Sequence, residues 1–480
     1  MRYDGLTDDV ERALREFLPA GAVSTHGETL DRYTADTYWR AKVLSHSSTP
    51  LGRPDIVVRP TDEPEVVRIV KLANELGIPV VPWGGGSGSQ GGSVPVDGGI
   101  VIDLRGLDRI LEIDTESMAV RVQAGINGAS FEAALNEHGL RFPHYPASAE
   151  WATIGGYIAA RGSGVLSTKY GKIEDLTISM RVVTPEGDII NTLPVPRHAV
   201  GPDVGPLIIG SEGTLGIITE ATLQVSPMPP SRRFAALLFS DTRAGVAAFR
   251  EVMVSGVRPA VIRLYDEVAT PNTLRPVLGE QMPEGVCAVL SFEGEDEITA
   301  AERAATLRIC CAHGAKELDP ELASSWWEHR YDFYHPPYYP QLPAMWGTFD
   351  IVAPYSKIMS AYDALQKAVA KPYAKYGLQL RTHFSHWYAW GTMYYGRFVL
   401  PDPPADPLAL HEQIWEDGIS AVLQAGGVLN DHHGIGIKLA PWMAEQGAGG
   451  FSLLQSLKRA MDPNGIMNPG KLGLDTGVEV

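Results

Sequence analysis

Glycine crowds one short stretch of this sequence. Pro79-Val-Val-Pro-Trp-Gly-Gly-Gly-Ser-Gly-Ser-Gln-Gly-Gly92 carries six glycines between Gly84 and Gly92. Without a Cβ, glycine adopts positive φ, so successive N–H groups can turn toward one bound anion. A diphosphate is the natural guest of such a loop. Two further groups of residues have chemistry to offer. His432-His433 stand side by side in a His-His-Gly-Ile-Gly turn, and imidazole titrates close enough to neutrality to serve as base or hydrogen-bond donor. Tyr394-Tyr395-x-Arg397 offers two phenolic donors and a fixed cation, a set that would lower the pKa of a bound phenol. Aromatic rings are dense in the same half of the chain: Tyr334, Tyr338, Trp346 and Trp390 are candidate substrate contacts, and plain packing is an equally good account of them.

Elements must position these groups. The glycine loop contains G-x-G-x-x-G at Gly86, Gly88 and Gly91. A dinucleotide-binding turn of that type must open a helix and be followed about 20 residues later by an acid. Here Ser93–Gly99 reads as turn and Ile100–Leu104 as strand, so the loop belongs to another architecture. Upstream, Asp55–Pro60 reads as a strand. Thr61 is expected to cap a helix whose Val66, Val67, Val70 and Ala73 share one face and which ends at Gly77. A hairpin near 110–124, a helix near 129–138 and a strand pair around Pro185-Glu-Gly-Asp188 follow. Ser226-Pro-Met-Pro-Pro230 breaks this pattern. Strand and helix then alternate: strands 233–239, 260–265 and 286–292, helices 242–255 and 296–314. Such alternation suggests an antiparallel sheet covered by helices on one face. The fold class expected is α+β, with one domain over 1–228, a second over 229–425, and a tail 426–480 that returns to the first.

Three more small-residue segments join the glycine loop. They are His144-Tyr-Pro-Ala-Ser-Ala-Glu-Trp-Ala-Thr-Ile-Gly-Gly156 with Arg161-Gly162, then Gly210-Ser-Glu-Gly-Thr-Leu-Gly-Ile-Ile218, then Asn464-Gly-Ile-Met-Asn-Pro-Gly-Lys471. Four such segments in this order resemble the flavoproteins of the vanillyl-alcohol oxidase / p-cresol methylhydroxylase family. Tyr170-Gly-Lys-Ile-Glu-Asp-Leu176, Ser385-His-x-Tyr388 and His432-His-Gly-Ile-Gly436 are similar to the alkylglycerone-phosphate synthase subgroup. The resemblance implies an FAD-binding domain of the p-cresol methylhydroxylase type beneath a cap domain. It implies that the cofactor is held by Pro82, Trp83, Gly84, Gly85, Gly86, Ser87 and Gly88, then by Pro146, Ser148, Ala152, Thr153, Gly155, Gly156, Arg161 and Gly162. Glu212, Gly213, Gly216, Ile217 and Ile218 complete that set. It also implies that Tyr395 and His432-His433 work over the flavin, with Arg397 beside them and His144 near the flavin edge. Ser87 and Gln90 stand where some relatives carry a flavin-linking histidine, so non-covalent FAD is expected. Pro336 stands where a synthase would bring an arginine to its substrate's phosphate, with Arg330 as the nearest substitute.

The formal charge of −17 argues against nucleic acid as the main partner. Cys287, Cys310 and Cys311 show neither metal spacing nor a disulfide framework, and no apolar run approaches 18 residues, so a reducing, cytoplasmic setting is expected. No metal is expected, since the His-x6-His spacing of metal-using 2-hydroxy-acid dehydrogenases is broken by Met393. The functional expectation is an FAD-dependent oxidase or dehydrogenase that moves hydride from a hydroxylated, aromatic or phenolic small molecule to flavin N5, with oxygen or another acceptor closing the cycle. A synthase-like flavin-dependent transferase and a 2-hydroxy-acid dehydrogenase are the alternatives. Oligomeric state is open, a homodimer being one expectation.

Overall fold

The computed structural model describes residues 8–47, 49–279, 284–334, 340–447 and 449–474. Helix and sheet are mixed throughout. The chain divides into two compact units. The first comprises Met1–Gly162, Lys172–Pro227 and His432–Val480, and the second Ser163–Gly171 with Met228–Asp431. A nine-residue excursion, Ser163–Gly171, thus leaves the first sequence segment for the second unit. The small-residue pattern around it gives no sign of that.

In the first unit, strands β1 (Val23–Ser24), β2 (Ile56–Val58), β3 (Val80–Trp83) and β4 (Ile100–Asp103) form a sheet in the order β1-β2-β4-β3, with β2 and β3 both parallel to β4. Parallel strands need a crossover, and helix Glu63–Leu76 supplies it between β2 and β3. Its cap is Asp62, not Thr61: Asp62 accepts from Glu65 N at 2.9 Å, while Thr61 N donates to the Glu65 carboxylate at 2.6 Å. The cap thus lies one residue later than the hydroxyl alone suggests, and Glu65 closes on Thr61, the residue before it. Gly77 ends the helix at φ 65. Val66, Ile69, Val70 and Ala73 are fully buried beneath it.

A second, antiparallel sheet follows. Its strands are β5 (Ile110–Asp114), β6 (Ala119–Gln123), β8 (Thr177–Val183), β9 (Ile189–Asn191) and β10 (Ile217–Gln224), in the order β5-β6-β10-β8-β9. The short strands β7 (Leu140–Arg141) and β11 (Ser226–Pro227) pair with each other. The tail returns to this unit through Met467, which bridges Val80 on β3: Val80 N donates to Ile466 O and Asn468 N to Val80 O, each at 2.8 Å. Buried Lys458 fixes the approach by donating to Asp462 at 2.6 Å, Met467 O at 2.7 Å and Thr214 O at 3.0 Å.

The second unit is built on one antiparallel sheet of β12 (Ser231–Phe239), β13 (Val261–Tyr265), β14 (Val286–Gly294), β15 (Lys316–Leu318), β16 (Met345–Pro354), β17 (Gln379–Trp387) and β18 (Gly391–Leu400), in the order β15-β12-β14-β13-β17-β18-β16. Side chains alternate between faces with period two. Leu264, Phe384, Tyr394, Phe398 and Phe349 point to one face and are fully buried there. Helix Tyr355–Leu365 packs on it through Tyr362, helix Pro407–Gln424 through Trp415, and helix Thr242–Val254 through Gly245, where a Cβ would stand 2.7 Å from Leu264. The residues between them, Arg263 and Tyr265, Arg381 and His383, Tyr395 and Arg397, point to the opposite face. Among the described residues no helix is long and apolar enough to cross a membrane.

Candidate active site

In the first unit the glycine loop leaves β3 at Trp83, whose ring lies edge-on to Tyr33 at 5.0 Å in a small core. The loop then presses against the segment that follows β7. A Cβ on Gly84 would stand 2.4 Å from Thr153 Oγ1, and one on Gly85 only 1.7 Å from Trp151 O. Gly86 has φ +63, and its Cβ would meet the Trp83 ring at 2.4 Å. Ser87 O and Gly88 O accept from Thr37 Oγ1 and Thr37 N, at 3.2 and 2.7 Å, so their carbonyls are tied back. Pro146 O and Ser148 O close turns onto Ala149 and Ala152, at 3.0 and 2.8 Å. Thr153 caps the short helix Ile154–Ala159 by accepting from Gly156 N, and Gly155 N donates to Ala124 O at 2.7 Å. The third segment closes on the first, since a Cβ on Gly213 would stand 2.3 Å from Pro82 Cγ. The segments are in backbone contact, and only glycine permits it.

Other residues of the expected cofactor set also make contacts within the protein. Arg161 is half exposed and pairs with Glu174 at 3.3 Å. Gly162 lies beside His144, and Gly216 takes φ 156 where β10 passes Val182 and Val183. Ile217 and Ile218 fill the cores on the two faces of β10. The Glu212 carboxylate accepts from Ile435 N and from Gly436 N, at 2.5 and 2.8 Å, so it secures the turn that carries His432 and His433. Those two rings are 4.1 Å apart. His144 is wholly buried between Tyr157 and Phe142, and neither ring nitrogen has a hydrogen-bond partner among the described residues. Burial, then the charges of Lys172 and His432, depress its pKa to about 3. His144 is therefore a neutral ring across the physiological range.

Sequence reasoning missed the buried polar residues beneath the loop. Asp36 is buried and accepts from Tyr38 N at 2.9 Å; burial raises its pKa to about 6 against the opposing pull of backbone donors and Lys471. Lys471 Nζ donates to Val94 O and Pro469 O, each at 2.8 Å, and Asn468 Nδ2 to Gly92 O and Glu212 O at 2.9 and 2.6 Å. The Asn-Pro-Gly-Lys motif was the available signal: Asn468 ties the end of the glycine loop and Lys471 the residues just after it.

In the second unit, the face of the sheet opposite these three helices opens into a small cavity beside helix Glu321–His329. Its described lining is Arg263, Tyr265, Ala269, Thr273, Trp326, Arg330, Phe333, Tyr334, Arg381, His383, Tyr395 and Arg397, four arginines with no carboxylate. Register explains the clustering. Arg381 lies directly opposite Arg397, and His383 opposite both Tyr395 and Tyr265. Like charges in opposed positions are unfavourable, and the Arg381 pKa is lowered by burial and by Arg397. Arg263 Nη1 lies 2.7 Å from His383 Nε2. A guanidinium can only donate, so Nε2 accepts and the ring proton sits on Nδ1. The His383 ring stacks on Tyr395 at 5.0 Å and 22°. Arg330 lies over Trp327 at 3.9 Å and donates to Trp327 O.

Of the expected substrate contacts, Tyr334 lines this cavity, and Tyr338, like Pro336, lies outside the described residues. Tyr394 requires correction as a partner of Tyr395 and Arg397. Adjacent strand residues point to opposite faces, and Tyr394 is buried among the helices, donating to Ala361 O at 3.1 Å, with burial holding its pKa well above the usual value. Trp390 is 71% exposed at the turn between β17 and β18. Trp346 shares the face of Arg397 on β16 but does not line the cavity. Arg263 and Arg381 went unread in the sequence, although Arg-x-Tyr, Arg-x-His and Tyr-x-Arg in three apolar strands were the visible sign.

Comparison with known proteins agrees with this division of labour. Residues 54–193 match an FAD binding domain, and residues 228–472 match the C-terminal domain of FAD linked oxidases. The chain is 31% identical over 449 residues to the alkyldihydroxyacetonephosphate synthase of Trypanosoma brucei brucei, covering 87% of this chain and 73% of the relative. It is 30% identical over 463 residues to a mitochondrial D-lactate dehydrogenase (cytochrome) of Arabidopsis thaliana, covering 92% and 78%. A solved alkyldihydroxyacetonephosphate synthase superposes with a TM-score of 0.82 at 27% identity, over 98% of this chain and 88% of that one. A substrate-bound p-cresol methylhydroxylase shares the fold, with a TM-score of 0.79 at 18% identity over 99% of each chain. The residues present fit FAD: the Gly84–Gly86 backbone, packed too closely for any Cβ, offers N–H groups to a diphosphate, and His144 keeps two buried nitrogens for a polar ligand. The chain is an FAD-dependent enzyme of the FAD-linked oxidase family, with the p-cresol methylhydroxylase type of fold and alkyldihydroxyacetonephosphate synthases among its relatives.

Proposed function

We propose that this chain oxidises a hydroxylated small molecule that carries an anionic group, such as a phosphate or a carboxylate, by hydride transfer. The observation that carries this reading is the cavity of the second unit, with four arginines and no described carboxylate. Holding guanidiniums together in a partly buried site is costly unless an anion joins them. A planar bidentate fork suits phosphate and carboxylate alike. The sequence's phenolic reading keeps Tyr395 and Arg397 but loses Tyr394, which faces the other side of the sheet. One guanidinium would satisfy a phenolate, whereas four line this cavity.

FAD, when bound, supplies a two-electron acceptor at N5. With FAD in place, the hydroxyl-bearing carbon would give up hydride and its hydroxyl proton would pass to a base, the electrons going finally to oxygen or another acceptor. We assign the base to His433, with His432 beside it, and the orientation of the substrate oxygen to Tyr395. His383 is a poor base because Nε2 already accepts from Arg263; it offers a donor at Nδ1. The second reading is a redox-neutral transfer on a phosphate-bearing substrate, favoured by the similarity to an alkyldihydroxyacetonephosphate synthase together with the same arginine cavity.

The test is anaerobic mixing of the flavin-loaded protein with phenolic alcohols, 2-hydroxy acids and phosphorylated hydroxy compounds. Loss of oxidised-flavin absorbance with an anionic compound is the expected result. Arg381→Met and Arg397→Met should then each raise the apparent Kd by about 10- to 150-fold, the equivalent of one charge-assisted hydrogen bond. Reduction by neutral alcohols that is indifferent to both substitutions would refute the reading. Turnover of an acylated dihydroxyacetone phosphate with a fatty alcohol, without net reduction, would favour the transferase.

A further inference from the structure

Within the first unit, four stretches distant in sequence meet around Glu212 and the turn it holds. Glu212 has φ 51, and its two oxygens accept from Ile435 N at 2.5 Å and Gly436 N at 2.8 Å. The turn they hold has no slack. Gly434 has φ +78, and a Cβ there would stand 2.6 Å from Glu212 Oε1. Gly436 has φ +56, and its Cβ would stand 2.0 Å from Gln90 O. Gln90 O accepts from both Ile437 N and Lys438 N at 3.1 Å, so the glycine loop holds the far side of the same turn. Glu212 O in turn accepts from Asn468 at 2.6 Å, and the same amide donates to Gly92 O at 2.9 Å.

From this convergence we infer that Glu212 is a positioning residue: its carboxylate fixes the His432–His433 pair in register with the glycine loop that cradles the cofactor. The catalytic importance of the histidines rests on the function proposed above; their positioning does not. A carboxylate is the suitable side chain here. It presents two acceptors side by side to two successive N–H groups, which an amide cannot match, because one arm of an amide is a donor. The geometry also explains why the turn reads His-His-Gly-Ile-Gly. Glycine at 434 and 436 lets the backbone close on Glu212 from one side and on Gln90 from the other. Neither contact involves the imidazoles, which remain at the start of the turn with their rings 4.1 Å apart.

Histidine-selective labelling of the full-length, flavin-loaded protein tests the inference without relying on turnover. The ring signals of His432 and His433 are assigned by their loss in His432→Asn and His433→Asn. In Glu212→Gln both signals should shift and broaden, while that of exposed His26 stays in place; Gly434→Ala, which pushes the turn off the same carboxylate, should reproduce the change, and Glu212→Asp should partly restore it. Unchanged His432 and His433 signals in a folded Glu212→Gln protein would overturn the inference. Single-turnover flavin reduction supplies the second reading. Glu212→Gln should slow it by about 10-fold, and His433→Asn should mask most of that loss, because coupled residues are not additive. Fully additive losses would count against positioning. If the signals move but neither histidine substitution affects reduction, the positioning role stands and the assignment of His433 as base falls.

Discussion

Replacing Gly85 by alanine is the sharpest test of the cofactor cradle, because the structure leaves no room for the added methyl. Its carbon would stand 1.7 Å from Trp151 O, 2.4 Å from Trp151 C and 3.0 Å from Ala152 Cα. All three obstacles are backbone, so no side-chain rotation relieves them. The contact must open from 1.7 Å to at least 3.0 Å, the floor for real Cβ contacts. An N–H···O bond tolerates only a few tenths of an ångström before it weakens. The N–H groups of Gly84–Gly86 therefore lose their aim at the diphosphate. With about 1.5–3 kcal/mol for each hydrogen bond to a charged group, two lost bonds weaken FAD by roughly 10²- to 10⁴-fold. Gly88→Ala provides the contrast in the same loop: its Cβ would meet only the Asp36 carboxylate, at 3.4 Å, and φ is unexceptional, so a loss under about tenfold is expected. Gly450→Ala, with open space around its Cβ, is the control for handling and stability. The assay is titration of the deflavinated protein with FAD, followed by quenching of flavin fluorescence, with thermal unfolding recorded in parallel. A Gly85→Ala protein that unfolds cooperatively and binds FAD as the parent does would refute the assignment of this loop.

Two further outcomes follow from burial. The Glu212 and Glu132 carboxyls are raised to about 7, and those of Asp36 and Asp266 to about 6, in each case chiefly by burial. The folded chain thus keeps protons that the unfolded chain releases near pH 4, and stability falls as pH rises through 6 and 7. His144 acts in the opposite sense, but only below its unfolded value of about 6.5. Thermal scans at about pH 6.5 should therefore give a higher Tm than scans at about pH 8, and Glu212→Gln should reduce the difference; a Tm that rises toward pH 8 would contradict the burial of these groups. The two adjacent tyrosines should separate cleanly. Tyr394→Phe removes a buried hydrogen bond to Ala361 O and should cost about 1 kcal/mol of stability while leaving flavin reduction unchanged. Tyr395→Phe should slow reduction roughly 10²- to 10⁴-fold; slowed reduction in Tyr394→Phe with none in Tyr395→Phe would invert the faces assigned to β18.

That pair of tyrosines also shows where reading from sequence stops. The glycine loop was legible because backbone contact and positive φ admit almost no other residue, so composition alone reports the geometry. Three strands of the second unit, β12, β13 and β14, were legible for the same kind of reason, their apolar runs and turns being local, whereas β15 to β18 were not read. What was not legible was register. Tyr394, Tyr395 and Arg397 look like one cluster along the chain, yet the period of two sends Tyr394 into the helices and leaves Tyr395 with Arg397. Conversely, Arg263 and Arg381 stand 118 residues apart in the numbering, and only the β13-β17-β18 pairing brings them to one cavity with Arg397. Glu212 illustrates the third kind of blindness. Its place in Gly-Ser-Glu-Gly-Thr-Leu-Gly marks it as part of a cofactor loop, but its partners are two amides of the turn after His433, more than two hundred residues on, which no local pattern announces. Adjacency in an extended chain separates side chains, and hydrogen bonding across a sheet or between loops reunites distant ones. Two such reunions carry the function proposed for this chain: three arginines meet across neighbouring strands, and one carboxylate holds the turn of two histidines.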